Sequence, residues 1–319
     1  MKLKSMVKSM TKVGLGLVMA GSVLVSCNDD DDNQGIAPND QTIAGIVTSN
    51  SSFSTLSQAV TKAGLGATLS GNGEFTVFAP NNAAFEASGI TSATLATLTT
   101  DQTKDILLYH TLASKVASSA VPAGPNAKVT TAQGDPIYVT KDARGVFVNG
   151  WKVNQADIMA SNGIIHSIER VLLPAPGNLV ETAQGNENLT YLVAAVVRAS
   201  QGNTNVANVL ASTEGLTVFA PTNQAFINAG FPTIASIQAA DPDVLTSILT
   251  YHVVGARAFS SDLTNNQALN TVQGGTLLVN IGNQVTIKGR TNSTASTVIA
   301  PNVLATNGVV HVIDQVLLP

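Results

Sequence analysis

The sequence has one cysteine, Cys27, in 319 residues, so no disulfide can form within the chain and no thiolate pair is present to hold a metal. Positive charge is scarce too. Sixteen Lys and Arg face 20 Asp and Glu, a net charge of -4, which removes the electrostatic footprint of a nucleic-acid binder. Aromatic residues make up 4% and charged residues 11% of the chain, against 44% hydrophobic residues. That balance is too apolar for a disordered chain and leaves aliphatic core packing to hold the fold. The 26 Gly and 12 Pro follow no triplet period, which excludes collagen; they punctuate runs of Val, Ile, Leu and Thr and predict many turns. Enzyme signatures are missing as well: there is no G-x-S-x-G elbow, no H-E-x-x-H helix, no C-x-x-C pair and no G-x-x-x-x-G-K-[ST] phosphate loop. We therefore expect no catalytic residues, no metal and no cofactor.

The N-terminus reads as an address. Lys2, Lys4, Lys8 and Lys12 precede an apolar stretch at 13–25, too short for a permanent membrane helix but the right length for a secretory signal. The following Ser26-Cys27 resembles the bacterial lipoprotein signal. The resemblance implies cleavage after residue 26 and a diacylated Cys27; the alternative is a leftover thiol beside an ordinary signal cleavage. Loss of residues 1–26 would leave 12 basic against 20 acidic residues, a net charge of -8. Half of that lies in Asp29, Asp30, Asp31 and Asp32, so residues 27–39 read as an extended acidic tether. This run resembles the surface-export signal of Bacteroidetes lipoproteins, although a plain spacer has the same composition. The expected location is the outer membrane, lipid-anchored and surface-exposed, with a periplasm-facing anchor as the alternative.

The remainder is an internal repeat. TVFAPNNAAF at 76–85 returns as TVFAPTNQAF at 217–226, ILLYH at 106–110 as ILTYH at 248–252, and NGIIHSIERVLLP at 162–174 as NGVVHVIDQVLLP at 307–319. Order and spacing are kept at a period far above that of solenoid repeats, which predicts tandem domains at 40–174 and 178–319 joined by Ala175-Pro176-Gly177. Within each copy, Phe75 to Phe78 reads as a strand, Asn81 or Asn82 caps a helix closed by Gly89, and Thr222 or Asn223 and Gly230 take the same places in the second copy. Asp241 and Pro242, and in the first copy Thr100 or Asp101, open a helix that ends at the Tyr-His pair. Hairpins are expected around Asn149-Gly150 and Gly282-Asn283. Each repeat is thus α+β, helices mostly first and sheet mostly second.

These ordered motifs, TVFAP-x-N-x-AF, an aliphatic run ending in Tyr-His, and NG-aliphatic-aliphatic-H-x-I with a terminal LLP, resemble the fasciclin domain, here in duplicate. The resemblance implies a β-sandwich or wedge of about seven strands with a helical layer. It also implies a non-enzymatic role in adhesion or matrix binding, with an unidentified extracellular protein, matrix or glycan partner and membrane attachment through the lipid. The Tyr109-His110 and Tyr251-His252 pairs match one adhesion motif of the family and Asp157-Ile158 another; core packing is the competing reading of each. The second copy departs from the latter, with Asn302-Val303.

All four histidines fall in the repeats. Strand alternation puts His166 with Ile164 and Ile168, and His311 with Val309 and Ile313, on inward faces, so both are expected to be structural. Trp151, the only tryptophan, follows the Asn149-Gly150 turn and reads either as a cover over the sheet or as an exposed platform for a glycan or protein. The platform reading supports a second function class, a glycan- or small-ligand-binding accessory lipoprotein of a nutrient uptake system.

Overall fold

A computed structural model describes residues 41–319, which lie in one compact unit. The expected signal at 1–26, the expected lipid site Cys27 and the expected acidic tether at 27–39 lie outside the described residues. Among the described residues no helix is long and apolar enough to cross a membrane.

The two repeats build the same α+β architecture. In the first, β1 (Phe75–Pro80), β2 (Thr111–Leu112), β3 (Gly124–Thr130), β4 (Pro136–Asp142), β5 (Gly145–Val148), β6 (Trp151–Ala160) and β7 (Gly163–Ile168) form one sheet in the order β2-β1-β7-β6-β5-β4-β3. The second contributes β8 (Leu216–Pro221), β9 (Val253–Val254), β10 (Ala268–Asn270), β11 (Thr276–Ile281), β12 (Val285–Lys288), β13 (Ser296–Ala305) and β14 (Gly308–Ile313), ordered β10-β11-β12-β13-β14-β8-β9. The β1–β7 and β8–β14 pairs are parallel and the other pairings antiparallel. Each repeat therefore threads its early TVFAP strand between a short return strand and its last strand, and every residue of β7, β8 and β14 is buried. Strands covered on both faces are expected to be continuously apolar, as these nearly are.

The helices that open on Asn81, Thr99, Thr222 and Asp241 start as capping chemistry dictates. Asn81 accepts from Ala84 N at 2.8 Å to open Asn82–Ala87, and Thr222 does the same for Asn223–Asn228. Asp241 caps Pro242–Tyr251. In the first copy the cap is Thr99, one residue before the expected Thr100 or Asp101, because its hydroxyl and the Gln102 side chain satisfy each other's backbone N–H groups in a capping box. Asn149 and Gly150, at φ +48° and +81°, make the two-residue turn between β5 and β6.

Helices Ile43–Ser49, Ser54–Lys62 and Thr100–Tyr109 pack an aliphatic core against one face of β1 and β7. The opposite face carries a second core of Phe78, Tyr109, Ile137, Val139, Val148 and Ile168, and this one does not stop at the repeat boundary: Phe259, Leu304 and Val309 of the second repeat belong to it. Phe259 meets Tyr138 ring to ring at 6.0 Å, and the Arg257 guanidinium lies 4.1 Å above the Tyr138 ring. Polar contacts follow the same seam, with Thr140 Oγ1 donating to Asp262 Oδ1 at 2.9 Å and Asn126 Nδ2 to Arg257 O at 2.9 Å. At Gly150 a β-carbon would stand 2.6 Å from the Asn302 side chain of the second repeat, so both the left-handed turn and this contact call for glycine. A shared core and fixed polar seam join the domains more closely than a short linker alone would.

Candidate functional site

The repeated motif residues converge on internal contacts. Tyr109 ends its helix and sends its hydroxyl across to the sheet, donating to Pro136 O at 3.0 Å and accepting from Asn149 Nδ2 at 3.1 Å. Burial pushes its phenol pKa up. Tyr251 repeats the arrangement, donating to Thr276 O at 2.6 Å and accepting from Arg290 N at 2.9 Å. His110 follows as the helix C-cap: Leu172 N–H donates to its Nε2 at 2.9 Å, so the proton sits on Nδ1, which donates to Ile106 O at 2.8 Å. His252 makes the matching pair with Leu317 N and Ile248 O, each at 2.8 Å. Burial lowers both histidines to a pKa of about 4, so they are neutral at neutral pH. Tyr109 and Tyr251 are 0% exposed, and the two histidines are also buried. A contact role for Tyr109, His110, Tyr251 and His252 is corrected on this ground: their side chains have no surface to offer, and their polar atoms are spent tying helix end to sheet and C-terminal loop.

The second histidine of each copy is equally committed. His166 Nδ1 accepts from Asp157 N at 3.1 Å and Nε2 donates to Val116 O at 2.9 Å, while its ring stacks on Phe78 at 5.6 Å. His311 accepts from Asn302 N at 3.3 Å, donates to Ala258 O at 2.9 Å and stacks on Phe219 at 5.5 Å. Among the described residues no group of three or more His, Cys, Asp and Glu is placed to hold a metal ion.

Asp157 sits at φ +59° in a bulge of β6, and Asn302 at φ +62° in the matching bulge of β13. Asp157 accepts from Ser118 N at 2.8 Å and Ser118 Oγ at 2.5 Å, fastening the turn Ser118–Ala120. Asn302 holds Ser260 the same way, accepting from its N at 2.7 Å and donating to its Oγ at 2.8 Å. Partial burial raises the Asp157 pKa, but the Ser118 hydrogen bonds outweigh it and hold the carboxyl below its ordinary value. Asp157 remains exposed, Ile158 is half-buried against the helical core, and Met159 beside it is 46% exposed. Of the motif residues read as contacts, then, only Asp157 presents its side chain openly. Trp151 is half-buried over the sheet, and the Arg170 guanidinium stacks 4.9 Å from its ring.

Three further pairs of repeated residues do much of the fastening. Asn162 Oδ1 accepts from Ile43 N at 2.8 Å and Nδ2 donates to Leu69 O and Gly71 O at 2.9 and 2.8 Å; Asn307 accepts from Leu179 N and donates to Leu210 O and Thr213 O, all at 2.9 Å. Thr76 and Thr217 each bridge two backbone groups of the loop after the return strand. Asn82 and Asn223 reach back to the N-terminal helices. The available signal was their identity in both copies.

Duplicated seven-stranded sheets with a helical layer, clasped by the same buried side chains, define a tandem α+β wedge pair. A profile of the fasciclin domain matches residues 51–174 and 187–319, and the chain belongs to this family. It is 29% identical over 257 residues to the transforming growth factor-beta-induced protein ig-h3 of Sus scrofa, covering 79% of this chain and 35% of that protein. The chain thus spans about a third of that relative's length. Protein sll1483 of Synechocystis sp. is 39% identical over 145 residues, covering 44% of this chain and 73% of its own. A fasciclin domain pair from the insect cell adhesion molecule fasciclin I overlays with a TM-score of 0.41 at 19% identity, covering 85% of this chain and 98% of the solved one.

Proposed function

We propose that this protein is a non-enzymatic, lipid-anchored envelope protein whose fasciclin pair binds an extracellular protein or matrix partner. The observation that carries the reading is the pair itself: two fasciclin domains in one chain, joined by a common core at Phe259, Leu304 and Val309. Joined this way, two weak contact surfaces are held at one spacing, which favours avidity when both are occupied. The contact surface is drawn from exposed positions that differ between the copies, with Asp157 and Met159 in the first, because the shared motif residues are consumed internally. Cys27 carries the lipid, and the acidic residues after it give reach.

The test is protease treatment of intact cells, with lipid labelling in parallel. Wild type is expected to take up labelled palmitate and to be cleaved from outside, Cys27→Ser to take up none, and replacement of Asp29 to Asp32 by Ala to protect the protein. A wild type protected in intact cells and cleaved after lysis would place the domains in the periplasm and remove adhesion between cells. Palmitate uptake by Cys27→Ser would remove the anchor assignment.

A further inference from the structure

We infer that the cleft between the two domains is a binding site for an amphipathic organic anion, with Arg170 as its anion-recognising group. The cleft is an open one of about 540 Å³, inside the range of roughly 300–1,000 Å³ typical of small-molecule sites. Its walls come from both repeats: Trp151 and residues 170–174 on one side, residues 299–304 on the other. They are mostly aliphatic, and two of the wall side chains, Leu173 and Ile299, are each 52% exposed with their apolar surface turned to water.

Arg170 is the only ionisable residue in this lining. Arg170 is half-buried with its guanidinium carbon 4.9 Å from the centre of the Trp151 ring, and among the described residues no carboxylate reaches it in a salt bridge. A guanidinium carries its N–H donors in one plane, which suits an acceptor with two oxygens. A fixed cation at the rim of an aliphatic cleft complements a ligand with a carboxylate or sulfonate head and an apolar body.

The same lining disfavours a sugar. Polyhydroxylated ligands need several free hydrogen-bonding groups, and the polar side chains here are taken. Asn149 serves Tyr138 N and Tyr109 Oη, Asn302 serves Ser260, and Ser88 serves Ala84 O and Val171 N. One face of Trp151 is covered by Arg170. The tryptophan thus works as the shelf that orients the cation.

Because Trp151 is the only tryptophan, its fluorescence reports the cleft directly. The experiment titrates the full chain, carrying Cys27→Ser, with decanoate and separately with decyltrimethylammonium and decanol, following Trp151 emission. Decanoate is expected to give a saturable change, with the cation and the alcohol weaker by about tenfold or more, the worth of one charge-assisted contact. Arg170→Gln should weaken decanoate by a similar factor while Arg170→Lys, which keeps the charge but not the planar fork, recovers only part of the affinity, and Ile299→Glu, which sets a carboxylate in the opposite wall, should weaken it as well. Both positions are at least partly exposed, so folding is checked by circular dichroism, and Ile299→Glu decides the matter alone if Arg170→Gln fails to fold. Equal affinity for all three amphiphiles, no saturable response, or decanoate binding unchanged in Ile299→Glu would overturn the assignment.

Discussion

His110 Nε2 accepts the backbone N–H of Leu172 at 2.9 Å, and this bond fixes the protonation state of a buried ring. A second proton on Nε2 would set two donors against each other and place a charge in the core. The same holds for His252 against Leu317, and His311 is likewise lowered to about 4, first by burial. Unfolded histidine takes up its proton near pH 6.5. Between pH 6.5 and about 4 the unfolded chain therefore binds more protons than the native one, so stability is full above pH 6.5 and falls as pH drops, by about 1.4 kcal/mol per pH unit per histidine. Urea unfolding between pH 7 and 4.5 should show this loss, and His252→Gln should lower the steepness by one proton. The Asp157 carboxyl, held below its ordinary value, acts only in the more acidic range. An equal slope in wild type and His252→Gln would refute the account.

Asp157 and Asn302 perform one structural task with different charge, which separates packing from recognition at this position. Asp157→Asn should be nearly neutral for stability, since Asn tolerates the left-handed backbone and can hold Ser118 as Asn302 holds Ser260. Asp157→Ala should cost roughly 1–3 kcal/mol, since it removes both hydrogen bonds to Ser118 and leaves a residue with no local polar side chain at positive φ. If the carboxylate contacts a partner, Asp157→Asn loses binding while its thermal midpoint stays put; binding that survives in Asp157→Asn leaves this residue purely structural.

How much of this was legible depends on whether the signal was local. The hairpin at Asn149-Gly150 and the cap at Asp241 are set by neighbouring residues and read directly from the chain. The parallel pairing of Phe75 with Gly163 was not, because the partners lie at opposite ends of the repeat and each strand alone shows only an apolar run. The Tyr-His pairs carried two readings of equal sequence pattern, and burial separated them. Nothing in the sequence around Arg170 marks it: its significance comes from Ile299 and Leu304 of the other repeat lining the same cleft.

Asn307 shows what the duplicated Asn-Gly signature is for. Its amide holds one N–H and two carbonyls that begin and end separate helices, Leu179–Gln184 and Val206–Ser212, against the start of β14. Replacing it by Ala leaves those buried groups unpaired, and the expected loss is roughly 2–4 kcal/mol by chemical denaturation. Asp keeps the acceptor for Leu179 N but sets a carboxylate against the carbonyls of Leu210 and Thr213, so Asn307→Asp should be no better than Asn307→Ala. An Asp variant as stable as wild type would show that the donor half of the clasp is idle.

Phe259 decides whether the two domains unfold as one. Its ring is fully buried, yet its core partners Tyr138 and Ile137 belong to the first repeat while its backbone opens the turn Ser260–Asp262 of the second. Truncation to Ala should cost about 3–5 kcal/mol, the usual range for a buried aromatic. The loss falls on the shared core, leaving the helical cores of the two repeats intact. Calorimetry of wild type should then give one cooperative transition, and Phe259→Ala two, the domains melting separately. The consequence reaches function, because two contact surfaces act together only while their spacing is held: the same variant should lose avidity for an immobilised partner with single-domain affinity unchanged. Two transitions in wild type would show instead that the seam is too weak to couple the domains, and the avidity argument would fall with it.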